Sequence, residues 1–215
     1  MKNKTYRWFT RLTLVACLGG TLTACVPVIM GGAVMGGLVA TDRRTSGAQL
    51  EDEGIELRSA SRIRDNLGDR VHVNVNSYNR RVLLSGEVPN LQDKQLVEQV
   101  VSRVDNVQSV VNELAVLGNA TLTQRSSDVL VTGRVRASFV DARDLYANAF
   151  KVVTERGTTY LMGRVTQREA DRATEITRGT SGVQKVVRVF EIISEDELRN
   201  LLPQPAPEPK AASTK

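Results

Sequence analysis

Val82-Leu83-Leu84-Ser85-Gly86-Glu87-Val88 and Thr159-Tyr160-Leu161-Met162-Gly163-Arg164-Val165 are two versions of one stretch, and their glycines stand 77 residues apart. Downstream of each, Val107-Gln108-Ser109-Val110-Val111 recurs as Val183-Gln184-Lys185-Val186-Val187 at an offset of 76. Two anchors at nearly one spacing mark an internal duplication. The chain therefore reads as two copies of one small unit, residues 50–118 and 119–194, joined at Gly118-Asn119.

Each copy spells out helix, strand, strand, helix, strand. In the first, Ala60, Ile63 and Leu67 recur at helical spacing, and Val71, Val73 and Val75 alternate with His72, Asn74 and Asn76 as a half-buried strand does. Tyr78-Asn79-Arg80-Arg81 turns the chain back into Val82–Val88, and Pro89-Asn90 ends that strand. Leu96, Val97, Val100, Val101 and Val104 form a helical stripe despite their β-branching, which requires burial to override propensity. Val107–Val116 closes the sheet. The second copy repeats the order, with Val131, Val135 and Phe139 on its first helix and a hairpin from Phe150 to Val165 around Glu155-Arg156-Gly157-Thr158. The predicted fold class is α+β: two tandem αββαβ units, each a small three-stranded mixed sheet with two helices on one face. Units of this size have marginal cores, so packing between the copies is expected to help.

Outside the copies the chain changes character. The 215 residues are 41% hydrophobic, 25% charged and 4% aromatic, ordinary for a folded protein apart from the few rings. The formal charge of +5 is misleading, because Lys2, Lys4, Arg7 and Arg11 precede a short apolar run from Leu12 to Ala24. That order is a secretory signal, and losing residues 1–24 leaves a charge of about +1. Nucleic-acid binding loses its support. Leu22-Thr23-Ala24-Cys25 has the form of a bacterial lipobox, in which Cys25 takes a diacylglyceryl group and becomes the new N-terminus. Val26 in place of an aspartate favours the outer membrane, with the protein facing the periplasm. Cys17 leaves with the signal, so no disulfide is available to the mature chain.

Residues 25–49 are expected to form a lipidated cysteine followed by a glycine-rich apolar linker, either lying at the lipid surface or acting as a tether. Residues 195–215 read as a tail, extended where Pro203, Pro205, Pro207 and Pro209 alternate with other residues. No apolar run approaches the ~20 residues of a spanning helix, which excludes a polytopic membrane protein.

The strand ending in Leu84-Ser85-Gly86 or Leu161-Met162-Gly163, and the Val-x-x-Val that opens each last strand, resemble the BON domain. Ala40-Thr41-Asp42-Arg43-Arg44, Tyr160–Ala170 and Ser181-Gly182-Val183 extend the resemblance, which runs from Cys25 to about Ile193. Two BON domains behind a lipobox are similar to the dual-BON lipoproteins of the outer membrane. The resemblance implies an envelope protein that binds anionic phospholipid, such as phosphatidylglycerol, through the first helix of its second BON domain.

Catalytic chemistry finds little material. His72 is the single histidine and reads as an exposed strand residue without a nucleophile beside it. The acids lack metal-ligand spacing, and the Gly31-Gly32 and Gly36-Gly37 pairs lack the lysine of a phosphate loop. The expectation is no enzyme, no metal and no cofactor.

The helix at 127–140 is the informative segment. Leu130, Arg134 and Ala137 share a face next to the core stripe, and Arg125, Arg134, Arg136 and Arg143 outnumber Asp128 and Asp141. An aliphatic side chain beside arginines suits the headgroup boundary of a membrane. By position, the resemblance implies a lipid-binding set of Leu130, Gly133, Arg134, Ala137, Ser138 and Phe139. Leu130 stands where the family can carry an aromatic ring, which costs the amphipathic interfacial group. The copies also differ in charge, net −2 over residues 42–118 and +2 over 119–202. A protein-interaction adaptor for envelope assembly or division factors is the alternative reading.

Overall fold

A computed structural model describes residues 42–201. The signal peptide, Cys25, the glycine-rich stretch through residue 41 and the proline-rich tail after residue 201 lie outside the described residues.

The first copy opens with α1 (Ser46–Leu67), whose N-terminus is closed by Thr45 Oγ1 accepting from the Ala48 N–H at 3.1 Å. The hairpin β1 (His72–Tyr78) and β2 (Arg81–Val88) follows, then α2 (Leu91–Ser102), capped by the Asn90 side chain. Two short strands, β3 (Ser109–Asn112) and β4 (Ala115–Val116), run parallel to β2 and antiparallel β1 lies on its other side. The second copy runs α3 (Leu122–Asp141), β5 (Lys151–Glu155), β6 (Thr158–Val165), α4 (Gln167–Gly179) and β7 (Lys185–Ile192), with sheet order β5-β6-β7. A further helix, α5 (Glu195–Leu201), ends the described chain.

Alternation along the central strands distributes the side chains between two faces. Val82, Leu84 and Val88 of β2 join Ile55, Ile63, Leu67, Val97, Val101 and Leu114 beneath α1 and α2. In the second copy Leu161 and Val165 of β6 join Val135, Phe139, Phe150, Ala170 and Phe190. Phe150 lies between Phe139 and Phe190, with ring centroids 5.0 and 6.0 Å away. The residues between them point the other way. Leu83 and Tyr78 meet Tyr160, Met162 and Val189 in a third apolar cluster, so the sheets face each other across their helix-free sides.

The motif glycines have a steric reason. A Cβ on Gly86 would lie 2.2 Å from the His72 carbonyl oxygen, and its φ of 114° already disfavours any side chain. A Cβ on Gly163 would lie 2.5 Å from the Ala149 carbonyl oxygen.

Several expectations need correction. Ala60 is exposed, and the buried stripe of α1 is Asp52, Ile55, Ser59, Ile63 and Leu67. Polar residues at two of those five positions hid the period. The last strand of the first copy is broken at Glu113-Leu114, where Leu114 turns into the core and its N–H finds Asn112 Oδ1 at 3.2 Å. The linker ends sooner than residue 49, because Arg43 is 6% exposed and α1 begins at Ser46. The segment expected to begin a tail forms α5, and Leu198 is buried.

Candidate functional site

Helix α3 is longer than its apolar period suggested. It starts at Leu122 behind a capping box, in which Thr121 and Gln124 exchange side-chain and backbone hydrogen bonds. Val131, Val135 and Phe139 anchor it to the sheet, leaving the remaining circumference to solvent. Leu130 is 62% exposed, and Gly133, Arg134 and Ala137 are exposed around it. Ser138 is half-buried, and its hydroxyl donates to the Arg134 carbonyl at 3.0 Å. Among the described residues nothing lies within 4 Å of a Cβ built on Gly133. The exposed Arg134 makes one side-chain hydrogen bond among the described residues, to the Ser181 carbonyl at 3.3 Å, which leaves most of its five donors unused there.

Phe139 is the exception in the predicted set. It is 1% exposed with its ring against Phe150, so it can support the surface and cannot touch a ligand there. Helical spacing puts it in the core stripe and the family resemblance puts it in the lipid set, and its burial admits only the first. The apolar surface also extends beyond the predicted residues. Leu122 is 80%, Val129 70% and Val140 72% exposed on the same helix, although a count of core periodicity passes over each of them.

On α3 and on α1, two carboxylates do matched work in the two copies. Asp128 accepts the backbone N–H groups of Arg156 and Gly157 at 2.8 and 2.9 Å. Seventy-six residues earlier, Asp52 accepts those of Asn79 and Arg80, each at 2.8 Å, and the Ser77 hydroxyl at 2.6 Å. Both turns carry two residues at positive φ, so a helix carboxylate clamps a tight left-handed turn in each copy. Burial opposes the Asp52 charge, but these donors and Arg44 hold its carboxyl below the usual range.

A second cluster lies where the copies meet. His72 is half-buried, which corrects the expectation of a solvent-exposed residue. Its Nδ1 is 3.0 Å from Oε2 of Glu87, a carboxylate with 0% exposure. Arg156 of the second copy reaches Glu87 Oε1 at 3.2 Å. Burial works against the Glu87 charge, yet the Ala120 N–H, Arg156 and His72 pull its carboxyl below the usual range. Glu155 accepts from Asn74, and burial pushes its carboxyl up.

Where the chain enters the fold, Arg43 is bonded to the second copy. Its guanidinium meets both oxygens of Glu169 at 2.6 and 2.7 Å and the Arg164 carbonyl at 2.8 Å. Asp42 and Arg44 then line a groove of about 700 Å³ with Val140 and Arg136 of α3. The described chain therefore begins beside the C-terminal half of α3.

The BON domain family matches residues 51–118 and 127–194, which together make up more than half of the sequence. The chain belongs to the BON-domain family. Most of the chain is similar to Outer membrane lipoprotein DolP of Haemophilus influenzae. The two are 38% identical over 185 residues, which cover 84% of this chain and 95% of that one. The 21 kDa hemolysin of Actinobacillus pleuropneumoniae is 29% identical over 154 residues, covering 71% of this chain and 79% of that protein. Among solved structures, the C-terminal domain of CdsD, a structural protein of the type III secretion system of Chlamydia trachomatis, is 14% identical with a TM-score of 0.28, covering 62% of this chain and 96% of that one. This is a dual-BON outer-membrane lipoprotein. Among the described residues no helix is long and apolar enough to cross a membrane.

Proposed function

We propose that this lipoprotein binds anionic phospholipid, such as phosphatidylglycerol, through α3 of its second BON domain and so supports the integrity of the outer membrane. The observation that carries this reading is the exposure of Leu130 beside Arg134, with Leu122 and Val129 protruding from the same helix. Aliphatic side chains at that level can enter the acyl boundary while guanidinium groups pair with phosphate oxygens. Leu130, Gly133, Arg134, Ala137 and Ser138 form the contact surface, and buried Phe139 holds the helix beneath it.

The acyl anchor on Cys25 adds to this by avidity. Asp42 and Val140 line one groove, so the lead-in from the lipidated end joins the fold near α3. A tether of this kind converts a weak intrinsic site into an effective one by raising the local headgroup concentration. The role is binding rather than catalysis, a reading supported by one histidine and no free thiol once Cys17 is cleaved off and Cys25 acylated.

Flotation of the mature chain carrying Cys25→Ser, with phosphatidylglycerol or phosphatidylcholine vesicles, tests the site without the anchor. Co-flotation is expected with the anionic vesicles only, weaker at higher salt. Leu130→Asp and Arg134→Glu should each abolish it while leaving the circular dichroism spectrum unchanged, because both side chains are exposed. If the unsubstituted chain stays in solution with both vesicles, the face instead serves a protein partner, and the adaptor reading replaces this one.

A further inference from the structure

The contact between the two BON domains contains a group of donors that lipid binding does not use. His72 and Glu87 come from β1 and β2 of the first domain, Glu155 from β5 of the second. One donor atom from each lies within 4.8 Å of the other two. The cluster opens onto a cleft of about 410 Å³, lined by His72, Asn74, Asp128 and Glu155 together with Arg125, Arg136 and Lys151, which is wide enough to admit a small ion.

We propose that His72, Glu87 and Glu155 form a site for a borderline divalent metal ion, zinc being the preferred one, that clamps the two BON domains together. One imidazole and two carboxylates are a donor set that zinc accepts, and magnesium prefers oxygen donors and water. A tetrahedral zinc ion sets its nitrogen and oxygen ligands about 3.4 Å apart. His72 Nδ1 and Glu87 Oε2 are already 3.0 Å apart, and Glu155, with a carboxylate oxygen within 4.8 Å of both, would have to turn from Asn74 to complete the set. Arg156 occupies the other oxygen of Glu87, at 3.2 Å, and fixes the carboxylate with Oε2 toward the histidine. Within the cluster two carboxylates face the one guanidinium of Arg156, while Arg125, Arg136 and Lys151 line the cleft outside it, so affinity rests on the bonds to the three ligands rather than on the charge of the cleft. For binding, the His72 ring must be neutral with Nδ1 bare and its one proton on Nε2; a doubly protonated ring would first release its Nδ1 proton to solvent.

The chain has one histidine, which makes the test direct. Zinc chloride is titrated into the untagged mature chain carrying Cys25→Ser, with magnesium chloride as the control. Calorimetry follows the stoichiometry and NMR follows the His72 ring. The expected result is saturation at one equivalent of zinc, displaced His72 ring signals, a raised thermal midpoint and no response to magnesium. His72→Gln and Glu155→Gln should each weaken binding about tenfold or more. The ring signals are read with all three ligands intact, so a variant that fails to fold does not remove the test. Absence of saturation at one equivalent, saturation with unmoved His72 signals, or unchanged affinity in folded Glu155→Gln overturns the proposal.

Discussion

At position 133 a glycine sits in the interior of a helix, where it weakens the helix relative to alanine. Among the described residues no neighbour lies within 4 Å of a Cβ built on it, and its φ is helical, so the described fold gives no steric reason for the choice. Gly133→Ala is therefore expected to stabilise the second domain by about 0.5–1 kcal/mol, measured by urea unfolding. An equal or lower stability would mean that the backbone there is held by something the described contacts omit. The contrast with Gly86 and Gly163 explains which glycines were legible. Those two stand in the repeated strand, where position marked them, and carbonyl oxygens at 2.2 and 2.5 Å supply the cause. Leu130, Arg134 and Ala137 were legible as a face because helical spacing alone defines it. Phe139 was misassigned to that face because a position carried over from relatives does not state which side of the helix it occupies.

For whole elements, the amphipathic strands were the readable part and the polar clamps were not. Val71, Val73 and Val75 and the two hairpins could be placed by alternation and turn chemistry. The start of α1 could not, since its inward positions include Asp52 and Ser59 and its N-cap precedes the repeat. Asp52 and Asp128 were invisible to a search for apolar periods, although they are themselves a matched pair at the repeat spacing. Their role gives a prediction for the hairpin. Asp128→Ala leaves two backbone N–H groups without their acceptor and should destabilise the second domain by about 1–3 kcal/mol. Hydrogen exchange should accelerate at Arg156 and Gly157 first, while the amides of the first domain keep their protection. Uniform loss of protection over both domains would show that the turn is not an independent unit of stability.

The molecule as a whole depends on contacts between copies that no local pattern encodes. The third apolar cluster was foreseeable only as a need, since small cores seek partners. The Arg43–Glu169 pair was not foreseeable, because it joins residues 126 apart and places an arginine from the expected linker in the fold. The side chains of Arg43 and Glu169 are 2% and 1% exposed, and Glu169 also closes the capping box of α4. Removing Arg43 would leave the carboxylate buried without its cation, and Arg43→Ala should cost about 3–5 kcal/mol. The pair also sets an acid response. Burial opposes the Glu169 charge, but Arg43 and the Thr166 N–H hold its folded-state carboxyl below the usual glutamate range. A depressed folded value means the contribution is complete above that range and is lost as pH falls through the lowered value. Glu169 thus adds a slope of at most about 1.4 kcal/mol per pH unit on the acid side. Urea unfolding of the mature chain carrying Cys25→Ser at pH 7, 5, 4 and 3 should follow that loss. Glu169→Gln should be less stable at pH 7 yet shallower below pH 5, because it has no proton to take up there. A variant with the parent's acid slope would assign the response to other carboxylates, and the buried pair would then be structural without sensing pH.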